Sequence, residues 1–195
     1  MARTNTRQQT EKLALLALLT ALVALLAYFG GFIKIGGMAS ISLTLVPVVL
    51  GAALQGPLAG AWLGAVSGGV FFLTGDAAGW LGLSVPGTII TVMVKAIVSG
   101  LCAGLVYKLL EKRNRYIAVL VAAIVCPVVN TGIFVIGCYA FFVDAVALSA
   151  ATAGKTTFIF IMTVYVGLNF VFELLTNIVL SPTILKLINI RKKAK

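Results

Sequence analysis

The chain has 195 residues, of which 61% are hydrophobic and 10% charged, with a net charge of +10 and a mean hydropathy of +1.13. A water-soluble domain of that length has no use for so much apolar surface, and several apolar stretches approach or exceed the roughly 20 residues that a membrane-spanning helix needs. Histidine is absent, which removes the commonest general base and the commonest metal ligand, so no metal and no cofactor are expected.

Residues 1–12 are polar and basic. The apolar run that follows is too long for a signal-peptide core and lacks a clean cleavage site, so no cleavable signal is expected. Span 1 is predicted from Leu13 to Phe32. Ala14, Ala17, Ala21 and Ala24 recur along it, and Ala17-x-x-x-Ala21 is a small-xxx-small pair that lets another helix approach closely. Gly30 to Ser40 reads as a loop in which two glycine pairs bracket the apolar tip Phe32-Ile33-Lys34-Ile35. Such a tip either folds over a pocket or is an ordinary connector.

Span 2, Ile41 to Leu54, is short and contains Pro47. It ends at Gln55-Gly56-Pro57, a tight turn by its chemistry. Span 3 follows from Leu58 to Leu73, with Gly60, Gly64 and Gly68 every fourth residue forming a flat groove for close packing. Thr74 to Val85 is a second loop holding Asp76 and Trp80, the latter either an interfacial anchor or a ring that stacks on a ligand.

Span 4, Pro86 to Glu111, carries a lysine in its interior. At about 1.5 Å per residue, Lys95 lies about 13 Å in from Pro86, well inside a hydrocarbon core of about 30 Å. Thr88, Thr91, Lys95 and Ser99 share one helix face. A charge at that depth is costly and turns toward a partner or a watery cavity, so this face reads as one wall of a polar pocket or as half of a structural ion pair. Lys108 to Arg115 is a short basic loop, and span 5 runs from Tyr116 to Phe142, with Pro127 and Asn130 near its middle. Residues 143–156 read as a loop of small residues. Span 6, Thr157 to Ile188, bears Asn169, Glu173 and Asn177 along one stripe, and 189–195 form a basic tail. Cys102, Cys126 and Cys138 fall in separate apolar stretches and read as small buried side chains.

Six spans place both termini on one side. Twelve of the 15 basic residues lie in three patches, around 3–12, 108–115 and 186–195, and all three fall on that side if it is the cytoplasm. The architecture expected is therefore an all-α, single-domain bundle of six transmembrane helices over residues 1–195, N-in and C-in, with 30–40, 75–85 and 143–156 outside. The same distribution assigns the positive charge to anionic lipid headgroups and not to nucleic acid.

Taken together, the stretches resemble the substrate-binding S component of an energy-coupling factor (ECF) vitamin transporter. The resemblance rests on the Ala17-x-x-x-Ala21 first span, on ISLTLVPVVLGAALQGPLAGAWLGAVSG, on TVMVKAIVSGLCAGLVYKLL before a basic loop, on CPVVNTGIFVIG, and on a last span bearing Asn and Glu. It covers nearly the whole chain, and the wording of these segments looks most like the pantothenate branch. Riboflavin, folate and cobalamin carriers share the architecture. The resemblance implies a bacterial cell-membrane subunit that pairs with a membrane coupling subunit and two cytoplasmic ATPases. It also implies that the span 1 alanines, Ala17 and Ala21 with Ala14 and Ala24 beside them, contact the coupling subunit, and that the subunit topples in the membrane to carry its ligand inward.

The residues themselves point to a carrier as well. Lys95, Asn130, Asn169 and Glu173 are candidates for a ligand pocket, with Thr91 and Trp80 beside them. An ammonium suits a ligand carboxylate, amides suit hydroxyls and amides, and Glu173 either pairs with Lys95 or anchors the bundle. The sequence lacks the Gly-x-x-x-x-Gly-Lys-Ser/Thr loop, so ATP hydrolysis falls to a partner. Two rival readings remain. A membrane enzyme has only a Lys/Glu pair to work with. A stand-alone channel or secondary transporter is favoured by inverted repeats, which the two halves of the chain do not show.

Overall fold

The computed structural model describes the backbone of residues 2–30, 34–35, 39–40 and 43–193, and the side chains of 9–30 and 43–191. Its long helices are α1 (Ala2–Gly30), α5 (Val85–Leu110), α6 (Arg115–Phe141) and α9 (Gly167–Lys193). Shorter ones are α2 (Leu45–Gln55), α3 (Pro57–Leu73), α4 (Ala78–Leu83), α7 (Val143–Thr152) and the single turn α8 (Thr157–Phe160). A π-helical turn, Ile161–Val166, joins α8 to α9. Strand among the described residues is limited to a two-residue antiparallel ladder, β1 (Lys34–Ile35) with β2 (Ala39–Ser40). The rest of the 30–40 loop, with the apolar tip expected to fold over a pocket, lies outside the described residues.

Among the described residues, four stretches are long and apolar enough to cross a membrane: Gln9–Gly30, Val85–Leu110, Arg115–Phe141 and Thr157–Arg191. Helix α3 matches the expected third span to within one residue, and α2 covers the expected second span from Leu45 onward. At about 1.5 Å per residue, the 11 residues of α2 reach only about half of a 30 Å core. The chain is an all-α multi-pass membrane protein. Two stretches expected as loops carry helix instead. Residues 143–152 form α7 because the segment is rich in alanine and opens with Asp144 in its first turn, where a negative charge offsets the helix dipole. The 74–85 segment holds α4 between the positive-φ Gly75 and Ser84, whose hydroxyl caps α5 by accepting from Gly87 N.

Helix α5 lies between α3 and α6, antiparallel to both. The groove formed by Gly60, Gly64 and Gly68 is filled by the α5 backbone. A Cβ on Gly60 would overlap the carbonyl oxygen of Gly100, and one on Gly64 would overlap that of Ala96. On the other side of α5, Gly137 of α6 sits against Thr91. Helix α1 is fastened alongside by Gln55 Nε2 donating to Lys12 O (3.1 Å) and Trp62 Nε1 donating to Thr20 Oγ1 (3.1 Å).

Among the described residues, buried apolar side chains form two clusters. The larger joins Leu19 and Val23 of α1 to Val49, Leu63, Ala122, Ile184 and Ile188. The smaller joins Cys138, Phe142, Val146 and Ile161, with Trp80 and Tyr165 packed against it. The polar site lies between them.

Candidate functional site

A cavity of about 140 Å³ sits where α1 and α3 end and α5 and α9 begin, walled by residues from Leu26 on α1 to Glu173 on α9. One water needs about 10–15 Å³ by this measure, so the space suits a small organic molecule. The dry cluster around Leu63, Ile184 and Ile188 closes the bundle toward the end that bears the basic patches. The cavity therefore faces the opposite end.

Lys95 reaches this cavity from the middle of α5. Its Nζ lies 5.0 Å from the ring centroid of Phe134 and 5.6 Å from that of Phe71, so two aromatic faces hold the ammonium. Contacts of this kind contribute about 0.5–1 kcal/mol each at exposed sites and about 2 when desolvated. They fix the side chain while leaving its hydrogen-bond donors for another group. Glu173 lines the same cavity from α9 and is buried, but no direct ion pair joins it to Lys95 among the described residues. Its Oε1 instead accepts from Asn169 Nδ2 at 3.3 Å. One turn further on, Asn177 Nδ2 donates to the Glu173 backbone oxygen at 2.8 Å, tying the buried stripe Glu173, Asn177, Ser181 to its own helix.

On α6, Asn130 lines the cavity and its Nδ2 approaches Ser99 Oγ at 3.5 Å, while Ser99 Oγ donates to Ala96 O at 3.0 Å. Above these polar groups stands an aromatic roof. Trp80 of α4 meets Phe134 (5.4 Å between centroids), Phe142 (5.2 Å) and Tyr165 (4.9 Å), all edge to face. This geometry gives each pair about 0.5–1.5 kcal/mol beyond the area it buries. Tyr165 lies in the π turn, whose extra residue per turn shifts the side chains that follow relative to a continuous α-helix. Asp76, tethered by Thr74 Oγ1 at 3.2 Å, also lines the cavity.

The structure thus gathers Lys95, Asn130, Asn169, Glu173 and Trp80 around one space. Thr91 stands apart: it is buried between α5 and α6 against Gly137, and its Oγ1 has no hydrogen-bond partner among the described residues. Thr88 likewise closes the first turn of α5 by donating to Ser84 O at 2.7 Å. Sequence reasoning passed over Phe71, Phe134 and Tyr165. Phe134 follows Asn130 by four residues, so a search for aromatic side chains one turn from each buried polar group would have found it. Outside the cavity lining, Ala14, Ala17 and Ala21 are exposed on α1 opposite the buried Leu19 and Val23, with Ala24 half-buried at the edge of that face.

Compared with known proteins, residues 11–185 match the family model described as ECF transporter, substrate-specific component. No curated protein and no solved structure matches the chain.

Proposed function

The chain belongs to the ECF transporter substrate-specific component family, and we propose that it captures a small vitamin, pantothenate in the first place, from outside a bacterial cell membrane and hands it inward. Members of this family are transporter subunits and not enzymes, and the family implies association with ECF coupling and ATPase subunits. For this chain the proposed partners are one membrane coupling subunit and two cytoplasmic ATPases, with the exposed alanine face of α1 (Ala14, Ala17, Ala21 and Ala24) as the docking surface.

The observation that carries the reading is the Lys95 ammonium, clasped by Phe71 and Phe134 and facing a cavity with amides at its walls. Pantothenate offers a carboxylate to such an ammonium, and its hydroxyls and amide match Asn130 and Asn169. Trp80 covers the ligand from above and Glu173 supports Asn169. Thr91, also a candidate for ligand contact, would need to turn from its seat against α6 to take part. The test is mass spectrometry of small molecules that co-purify with the protein, together with recovery of its partners from mild detergent. Pantothenate in the extract, and a coupling subunit with ATPases on the column, support the proposal. A riboflavin, folate or cobalamin compound would reassign the vitamin, and a chain that transports alone would reassign it to the secondary transporters.

A further inference from the structure

We infer that Phe71 and Phe134 are positioning residues: their rings hold the Lys95 ammonium clear of Glu173 and so keep it free for the anionic group of the ligand. The inference deepens the proposed function and, where the ligand is concerned, rests on it.

Lys95 of α5 and the buried Glu173 of α9 line one cavity without joining. They are near enough for an electrostatic interaction across the space. Yet no ion pair closes between them among the described residues. A Glu173 oxygen is able to accept from the ammonium whether the carboxyl is ionised or protonated. A buried ammonium without a partner is costly, so two such side chains left to themselves should meet.

Their neighbours keep them apart. The Lys95 Nζ lies 5.0 Å from the ring centroid of Phe134 and 5.6 Å from that of Phe71. These rings stand on α6 and α3, the helices that flank α5. A ring face attracts a cation without consuming any of its N–H donors, so the ammonium is held and still able to donate. On α9, Glu173 Oε1 accepts from Asn169 Nδ2 at 3.3 Å. Without a ring, the flexible lysine stem is free to swing toward Glu173. An arriving carboxylate must then displace an internal rival before it meets the ammonium. The two rings therefore act on the ligand through Lys95, by preorganising it.

The test is a double-mutant cycle in the full chain, purified in detergent, with pantothenate as the probe. Phe71→Leu is the cleaner variant, because Phe134 also packs against Trp80. Phe134→Leu repeats the cycle from α6 should the first variant fail to fold. Each should weaken binding roughly 2- to 30-fold, the value of a lost cation–π contact. In the Glu173→Met background the rival acceptor is gone, so the same replacement should weaken binding by a factor close to one. Phe134→Tyr, which keeps the ring face, should bind nearly as wild type does. Equal weakening in both backgrounds would make the rings ordinary packing and overturn the inference, as would Phe→Leu variants that bind like wild type. If pantothenate fails to bind wild-type protein, the vitamin reading fails, and the same cycle read on melting temperature without ligand decides this inference. Glu173→Met should then lower the melting temperature more in the Phe71→Leu background, where Glu173 has gained Lys95, than in wild type. Equal losses would overturn it. The melting cycle decides in the same way if Glu173→Met alone abolishes binding.

Discussion

Gly64 lies where the fold and the cavity meet, and replacing it tests both. A Cβ at this position would overlap the carbonyl oxygen of Ala96 and stand 3.2 Å from the backbone nitrogen of Ile97. Neither atom belongs to a side chain that can rotate aside, so Gly64→Ala must push α3 away from α5. Overpacking of this sort costs about 1–3 kcal/mol. For a chain of this size each kcal/mol moves the melting temperature by roughly 2–4 °C, giving a fall of about 2–12 °C. Ala96 follows Lys95 directly and lines the cavity with it, so ligand affinity should fall in the same variant. Gly69→Ala is the control, because a Cβ there meets nothing within 4 Å. Thermal unfolding in detergent, followed by loss of the monodisperse peak, reads the difference. A Gly64→Ala protein that melts with wild type would refute the close α3–α5 seam.

Three further outcomes follow from other parts of the molecule. Ala17→Trp or Ala21→Trp, on the exposed face of α1, should abolish uptake in cells while leaving ligand affinity in detergent unchanged; normal uptake by both variants would remove the case for that face. Asn114 Oδ1 caps α6 by accepting from Tyr116 N and Ile117 N, so Asn114→Ala should cost about 1 kcal/mol of stability, checked by the shift in melting temperature. The chain has two tryptophans, so Trp62→Phe leaves Trp80 as the single indole; ligand should then change its emission, and a silent spectrum would detach Trp80 from the site.

Much of this was legible in the sequence because hydrophobicity, charge and glycine spacing act locally. The run after Lys12 and those flanking Lys95 and Asn130 have to be helices in a bilayer, since only there are their backbone groups satisfied. Gly60, Gly64 and Gly68 announced a close approach, and α5 makes it. Lys95 at mid-membrane depth announced a polar cavity. What periodicity does not carry is rotation. Thr91 precedes Lys95 by one turn, yet the drift of the helix and the seat offered by Gly137 turn it to α6. The alanine content of 143–152 and Asp144 at its start were a helix signal that the small residues masked, whereas nothing in composition reveals that the last span would start through a π turn before Gly167. The aromatic clasp on Lys95 joins α3, α5 and α6, so it exists only in the packed bundle.

The central claim is that Lys95 holds the anionic group of the ligand. Isothermal titration of pantothenate into wild type, Lys95→Met and Lys95→Met with Glu173→Gln tests it directly. Methionine keeps the length and removes the charge, and the paired change prevents a stranded carboxylate from confusing the result. A charge-assisted hydrogen bond contributes about 1.5–3 kcal/mol, so its loss should weaken binding about 10- to 150-fold in both variants. The neutral alcohol analogue of the vitamin should then lose its disadvantage against the acid. Binding of the acid to the folded double variant at wild-type affinity would contradict the account, leaving Lys95 a structural cation and the ligand site elsewhere.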